Sequence, residues 1–141
     1  MRHLHLEKKG IRGLAIAESF SQDSKKSVLS GIVMSTDLVI DGFVMGHSTV
    51  GGDDATDAIL EMYKKLARPD VSFLLISGIV ISLYNIIDLK RISEETGLPV
   101  IGVTYEESDG IEDAIKHHFP DSYESKLAEY SNLGSREKIS L

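Results

Sequence analysis

The sequence contains no cysteine, no tryptophan and only 3 prolines. Without cysteine, neither a disulfide bond nor a zinc site with thiolate ligands can form. No apolar run approaches the length of about 20 residues that a membrane-spanning helix needs. Residues 1–9 lack the apolar core of a signal peptide. We therefore expect a cytoplasmic protein without a membrane segment.

The formal net charge is −7. This excess of acidic residues opposes broad, nonspecific binding to nucleic acid, which depends on lysine and arginine contacts with phosphates. The length of 141 residues suits one domain. We expect a single domain over residues 1–141, with a frayed tail over residues 131–141.

Three apolar segments in the first third of the chain predict β-strands, at residues 14–17, 28–34 and 38–45. The connectors between them are only a few residues long. Since a parallel crossover needs a dozen residues or more, short connectors indicate hairpins. The first three strands are therefore expected to form an antiparallel meander.

The spacing of apolar residues then becomes helical. Ala55, Ala58, Ile59, Met62 and Leu66 fall on one face of a helix, and we expect Asp53 to be its N-cap. Further segments predict a buried strand, a second helix that Gly97 ends, a fifth strand and two more helices, at residues 71–77, 83–96, 99–104, 111–119 and 121 onward.

The predicted order is β-β-β-α-β-α-β-α-α. Three antiparallel strands followed by alternating helices and strands form a mixed sheet with helices on its faces. This α/β arrangement is that of ribonuclease H-like folds, although a fold class alone does not give a function.

The most informative stretch is residues 46–59, where a glycine loop leads from a strand into a helix that begins with Asp53 and Asp54. Helix N-termini attract anions, and here the chain supplies its own, which favours a cation site. If the first and fourth strands are parallel neighbours, Glu18, Ser77 and this pair meet at one edge of the sheet. Clustered carboxylates need a cation or a raised pKa, and oxygen ligands suit Mg²⁺ or Mn²⁺.

Each acidic residue also has a structural interpretation. Asp53 suits a helix cap, Asp54 complements the helix dipole, and Glu18 suits a solvated strand end. Asp41, beside Gly42, is typical of an edge strand or a β-bulge. The alternative for Asp41 is a metal ligand from a neighbouring strand.

The glycine loop is the candidate substrate-binding element. His47, Gly51 and Gly52 are the residues in it that we expect to contact a ligand, and His47 is the only histidine for which we consider a site role. The loop lacks the lysine of a nucleotide-binding P-loop.

Five segments of the chain resemble a mainly archaeal family, domain-of-unknown-function family ninety-nine, which is related to endonuclease V. They are residues 12–20 (RGLAIAESF), 41–43 (DGF), 49–57 (TVGGDDATD), 84–89 (YNIIDL) and 95–101 (ETGLPVI). The resemblance implies an endonuclease V-like fold, with Mg²⁺-dependent cleavage of nucleic acid near deaminated adenine.

Carried over residue by residue, the resemblance places Glu18 at the first-strand Asp of endonuclease V and Asp54 at the Glu that begins its first helix. Ser77-Gly78 falls at the Asp-Gly that ends its fourth strand, so this chain lacks the third carboxylate. The implied site is incomplete.

Three functions remain open from the sequence. The first is a metal-dependent phosphodiesterase with Glu18, Asp53 and Asp54 as catalytic residues and with Glu18, Asp54 and Asp41 as metal ligands. The second is a noncatalytic nucleic-acid-binding module. The third is a module that binds a small ligand or a protein. The substrate, the turnover and the oligomeric state are left open.

Overall fold

The first third of the chain forms a three-stranded antiparallel meander, as the short connectors predict. In the computed structural model its strands are β1 (Arg12–Ser19), β2 (Lys26–Ser35) and β3 (Ile40–Thr49). The third strand begins later than predicted, because Leu38 takes a left-handed φ of 67° and its N–H bonds to the carbonyl of Ser35 at 2.9 Å. Leu38 and Val39 therefore complete a turn.

The rest of the chain adds helices, two strands that run parallel to β1 and a separate antiparallel pair of short strands. The structure describes residues 7–8, 10–21, 23–81, 84–104, 115–117, 119–121 and 123–131. The elements that follow the meander are α1 (Ala55–Leu66), β4 (Val71–Ser77), β5 (Val80–Ile81), β6 (Asn85–Ile86), α2 (Leu89–Thr96), β7 (Val100–Val103) and α3 (Tyr123–Ser131).

The main sheet has the order β3-β2-β1-β4-β7. β4 is parallel to β1, and β7 is parallel to β4. Because β3 returns to the direction of β1, four strands end at the same edge of the sheet, at Ser19, Thr49, Ser77 and Val103. We call this the carboxyl edge. The expected proximity of the ends of β1 and β4 is thus confirmed.

Helices α1 and α2 pack on one face of the sheet, which we call the helix face. Its fully buried side chains include Leu14, Ile16, Leu29, Leu74 and Ile76. The helix α1 approaches closely, since a Cβ on Gly46 would lie 2.7 Å from Cγ and Sδ of Met62. This contact requires glycine at position 46 and sets the position of α1 over β3.

The second face of the sheet carries the alternate residues of the same strands. Its large apolar side chains on the outermost strands are exposed, with Phe43 at 65%, Met45 at 38% and Ile101 at 45%. The two faces thus differ in burial among the described residues.

The second helix is shorter than predicted. The apolar stripe over residues 83–92 is helical only from Leu89. Asn85 and Ile86 instead form a strand that pairs with Val80 and Ile81. The helix starts where it does because the Asp88 side chain accepts a hydrogen bond from the N–H of Arg91 at 3.0 Å, as N-cap residues do. Leu83 lies outside the described residues.

The chain divides into two compact units, Met1–Glu107 and Ser108–Leu141, and the expected single domain stays a prediction. In the second unit, residues 115–117 and α3 are helical, which agrees with the two predicted C-terminal helices where the structure describes them. Ser131 still belongs to α3, and the rest of the predicted tail lies outside the described residues. Within the described ranges, we find no helix long and apolar enough to span a membrane.

Candidate functional site

Glu18 and the loop before α1 lie at the same edge of the sheet. Glu18 is the next-to-last residue of β1 and pairs with Leu29, which in turn pairs with Gly46 of β3. Paired residues point to the same side of a sheet, so Glu18 points to the helix face, where α1 begins. β1 and β3 are separated by one strand, or about 10 Å. Topology therefore brings Glu18 toward Asp53 and Asp54.

Asp54, rather than Asp53, occupies the N-cap position of α1, so the prediction for Asp53 is wrong. Asp54 also makes no side-chain hydrogen bond to the helix. Its carboxylate turns back to the end of β3, where it accepts hydrogen bonds from the N–H of Thr49 at 2.9 Å and from the Thr49 hydroxyl at 2.6 Å. Asp53 follows the turn and is exposed.

Asn85 supplies the cap that Asp54 does not. This buried residue has 0% exposure, and its Oδ1 accepts a hydrogen bond from the N–H of Ala55 at 3.1 Å. Its Nδ2 donates to the Thr49 carbonyl at 2.9 Å and to Oδ1 of Asp54 at 2.9 Å. The Asn85 side chain of β6 is thus hydrogen-bonded to the end of β3, to the Asp54 carboxylate and to the start of α1.

The environment of Asp54 favours its ionised form. Partial burial acts to raise the pKa, but hydrogen bonds from the side chain and backbone of Thr49 and from Asn85 outweigh it and lower the pKa below 3.8. Hydrogen bonds to a carboxylate stabilise the charged form. Asp54 is therefore an oriented anion at neutral pH.

The glycines of the loop have a structural role. Gly51 takes a left-handed φ of 71°, and the N–H of Gly52 donates to the Thr49 carbonyl at 3.0 Å. A Cβ on Gly52 would lie 2.8 Å from Cβ of Thr49. The turn itself thus requires both glycines, and a contact of either with a substrate stays a prediction.

His47 does not join the carboxylates. It pairs with Val28, one residue from the pair of Leu29 and Gly46, so it points to the second face while Glu18 points to the helix face. The imidazole is exposed, and its Nδ1 lies 3.3 Å from the carbonyl of Ser27.

Asp41 lies at the opposite edge of the sheet. Val33 pairs with Gly42 while Met34 pairs with Ile40, so Asp41 is the extra residue of a β-bulge on an edge strand. This confirms its structural interpretation. Its carboxylate accepts hydrogen bonds from Arg12 Nε at 2.8 Å and Arg68 Nη2 at 3.2 Å.

This location separates Asp41 from the other acids. Arg12, its partner, stands six residues before Glu18 along β1, a distance of about 20 Å. The structure therefore does not bring Asp41 to Glu18 and Asp54, and we do not retain it in the candidate metal site.

The described residues contain no group of three or more histidine or acidic side chains able to hold a metal ion. A closed cage made of protein ligands is therefore absent from this part of the chain. Mg²⁺ is often bound by one or two carboxylates together with substrate phosphates, and ligating carboxylates are themselves usually hydrogen-bonded. Glu18 and the oriented Asp54 fit that kind of site.

The sequence also matches a known family. A family model described as endonuclease dU matches residues 9–141. The chain belongs to the endonuclease dU family. Its relatives include a UPF0215 protein of Pyrobaculum calidifontis, 37% identical over 122 residues that cover 86% of this chain and 66% of that protein. Another is a UPF0215 protein of Thermococcus kodakarensis, 37% identical over 110 residues that cover 75% of this chain and 56% of the relative.

These relatives are archaeal, so the predicted link to an archaeal family related to endonuclease V is confirmed. The chain spans between about half and two thirds of the length of the curated relatives it matches. What the whole protein does is therefore a matter for proposal.

Solved structures support the same relationship. A protein of unknown function from Archaeoglobus fulgidus matches with a TM-score of 0.76 and 26% identity, over 88% of this chain and 70% of that chain. Endonuclease V from Streptomyces avermitilis matches with a TM-score of 0.52 and 16% identity, over 70% and 50% of the two chains. At this identity the likeness to endonuclease V shows the fold alone.

Endonuclease V from Ciona intestinalis was solved with a 24mer DNA that contains an inosine followed by a ribo-adenosine. It matches with a TM-score of 0.52 and 15% identity, over 95% of this chain and 61% of that chain. This match also shows the fold alone.

The sequence did not reveal Thr49 and Asn85 as parts of the site. Asn85 lies within one of the segments that carry the family resemblance, but the helical spacing of its apolar neighbours hid its role. The signal that the sequence offered was a single polar residue, Asn85, among four isoleucine and leucine neighbours.

Proposed function

We propose that this protein is a metal-dependent phosphodiesterase that cleaves nucleic acid at the carboxyl edge of a ribonuclease H-like sheet. The observation that carries the proposal is the placement of Glu18 and the ionised, oriented Asp54 at one edge and on one side of the sheet. Membership in a family described as endonuclease dU supports this reaction.

Glu18 and Asp54 would hold Mg²⁺ or Mn²⁺, with Asp53 beside them as an assisting carboxylate. When bound, such an ion can activate water and stabilise the leaving oxygen of a phosphodiester. Thr49 and Asn85 keep Asp54 ionised and fixed, because their hydrogen bonds stabilise its charged form. Phosphates of the bound strand would complete the ligands that the described residues leave open.

The proposed substrate is a nucleic-acid strand that contains a deaminated nucleoside, deoxyuridine or inosine. The family description names dU, and the Ciona endonuclease V structure holds inosine-containing DNA. The loop with Gly51 and Gly52 would lie beside this strand, since it borders Asp54 on the carboxyl edge. His47 points to the second face of the sheet. It would contact the nucleic acid only if the bound strand extended around the carboxyl edge to that face.

A second candidate is a noncatalytic nucleic-acid-binding module. Ser77 favours it, because the resemblance places this serine at the aspartate that ends the fourth strand of endonuclease V. Ser77 ends β4 on the carboxyl edge, but it follows Ile76 of the helix face and so points to the second face, away from Glu18. Binding without cleavage is its distinguishing property, and that binding would weaken with salt.

A panel of labelled strands tests both candidates. Strands with deoxyuridine, inosine or neither base are incubated with Mg²⁺, Mn²⁺ or a chelator. We expect metal-dependent cleavage of a deaminated strand, which Asp54→Asn abolishes and the exposed helix variant Glu61→Gln retains. Salt-sensitive binding of every strand with no cleavage under any condition would favour the second candidate and contradict the first.

A further inference from the structure

The strand β3 forms an outer edge of the main sheet. The N–H of Val50 donates to the Lys25 carbonyl at 3.0 Å, which fixes the alternation along the strand. Even-numbered residues from 42 to 50 direct their backbone groups to β2, and odd-numbered residues direct theirs away from it. Phe43, Met45 and His47 therefore point their N–H and C=O groups outward.

The two ends of this edge are already hydrogen-bonded. At one end, the N–H of Thr49 binds Asp54 and its carbonyl accepts from Asn85. At the other end, the carbonyl of Asp41 accepts from Arg68 Nη1 at 3.1 Å. Among the described residues, none bonds to the outward groups of the three residues between these ends. They leave six backbone groups, two on each residue.

The side chains along this edge offer no protection against another strand. Phe43 is 65% exposed and Met45 is 38% exposed. Residues 42–49 contain no charged residue and no proline in a chain that is 26% charged. Edge strands are usually protected by lysine, proline, β-bulges, inward-pointing charges or shortness. The β-bulge of this strand of 10 residues lies near its beginning, at Asp41, and residues 42–49 have none of these protections.

We propose that a second copy of this chain pairs with β3 in antiparallel orientation, with Met45 opposite Met45 and Phe43 opposite His47. This register uses all six outward groups of each copy's edge and forms six hydrogen bonds across a two-fold axis. A register shifted by two residues pairs Met45 with Phe43 in one direction or with His47 in the other, and either shift reduces the six bonds to four. The product is a continuous sheet of ten strands, since each copy contributes five.

The charges along β3 are compatible with a second copy in this orientation, because antiparallel pairing keeps the two acidic ends apart. The end of the edge near Thr49 carries the acidic pair Asp53 and Asp54. At the other end, Asp41 and Asp70 are paired with Arg12 and Arg68, so the formal charge there is zero. Antiparallel pairing places the acidic end of one copy beside the balanced, arginine-bearing end of the other. The uncharged centre has no cation for a nucleic-acid phosphate.

Cysteine cross-linking tests the register, because the chain has no native cysteine. Hydrogen-bonded antiparallel partners have Cα atoms about 5.5 Å apart, which is within the reach of a disulfide. Met45→Cys is therefore expected to form a covalent dimer under mild oxidation. Phe43→Cys is the matched control, since its two copies lie about 14 Å apart and cannot be joined.

The same register predicts that Phe43→Cys mixed with His47→Cys forms a covalent heterodimer. In sedimentation at tens of micromolar, we expect the wild type to be dimeric and Met45→Lys to lower the dimer fraction at least tenfold with unchanged circular dichroism. A wild type that stays monomeric, or Met45→Cys that cross-links no faster than Phe43→Cys, would overturn the proposal. Neither readout depends on the proposed nuclease activity.

Discussion

The carboxylate of Asp54 binds both polar groups of Thr49 that face it, the backbone N–H at 2.9 Å and the hydroxyl at 2.6 Å. Asp54 precedes α1, but its side chain is hydrogen-bonded to the last residue of β3. The loop between the two residues is thereby closed at its base. The carboxylate that we propose as a metal ligand is thus held by the strand rather than by the helix.

Replacement of Asp54 separates its structural role from its charge. Asp54→Ala removes the acceptor for three hydrogen bonds, each worth about 1 kcal/mol net, so we expect the free energy of unfolding to fall by about 2–3 kcal/mol. Asp54→Asn keeps a carbonyl acceptor for Thr49 and Asn85, and the Thr49 hydroxyl can rotate to accept from the new amide. Its expected loss is below about 1 kcal/mol.

Denaturant unfolding measures these differences. Glu61→Ala is the control, because Glu61 is exposed on α1. If Asp54→Ala were no less stable than Glu61→Ala, the hydrogen bonds to Thr49 would not stabilise the fold as described.

The removal of the Asn85 amide should loosen the start of α1. Asn85→Ala leaves the N–H of the buried Ala55 without its acceptor and takes a donor from Asp54. We expect a loss of about 2–4 kcal/mol, because a buried unpaired group costs its full desolvation penalty. Hydrogen exchange at Ala55 and Thr49 should accelerate more than exchange in β1.

Ser93→Ala provides a matched comparison in α2. Its hydroxyl donates to the Leu98 carbonyl at 2.8 Å, away from the loop, so this variant should leave the exchange of Ala55 and Thr49 unchanged relative to the rest of the sheet. Equal exchange patterns in the two variants would show that Asn85 has no specific effect on the start of α1.

The hydrophobic pattern was sufficient to predict most of the sheet. Alternating and continuous apolar runs predicted β1, β2, β4 and β7. Residues that face the core of a sheet recur at a regular spacing along each strand, and this spacing can be read from the sequence. The helix predicted over residues 84–88 is wrong, since two adjacent isoleucines satisfy a helical stripe and a strand equally well. The left-handed φ of 66° at Tyr84 decides between them, and no spacing rule reveals it.

The candidate site was only partly predictable. Glu18 and Asp54 could be placed because both stand at the ends of clear elements. Asn85 could not, since its contacts with Ala55 and Asp54 span about thirty positions of sequence and depend on where the β5–β6 hairpin packs. Asp41 stood beside a glycine, which predicted the bulge, but its arginine partners come from β1 and from the loop between α1 and β4.

The ion pairs of Asp41 and Asp70 predict a dependence of stability on pH. Hydrogen bonds from Arg12 lower the pKa of Asp41, and those from Arg68 lower the pKa of Asp70, both below 3.8. A carboxyl whose pKa is lower in the folded state stabilises it above the unfolded pKa and loses that effect as the pH falls through the folded pKa. We therefore expect the free energy of unfolding to decline as the pH falls below about 4.

The Asp41→Asn, Asp70→Asn double variant should show a shallower decline below that pH than the wild type. Because these side chains are exposed, 1 M salt should reduce the difference between the two proteins. Identical pH slopes at low salt would contradict the assignment of the acid sensitivity to this cluster.

The most direct test of the proposed site is the rate at which the Glu18→Gln variant cleaves a deoxyuridine- or inosine-containing strand in the presence of Mn²⁺. The amide keeps the size of the side chain and removes its charge, so we expect the single-turnover rate to fall more than about 100-fold, beyond the effect typical of groups that only support a ligand. Glu61→Gln, on the exposed side of α1, should stay within about twofold of the wild type. A Glu18→Gln protein that cleaves as fast as the wild type would contradict a metal site at the carboxyl edge.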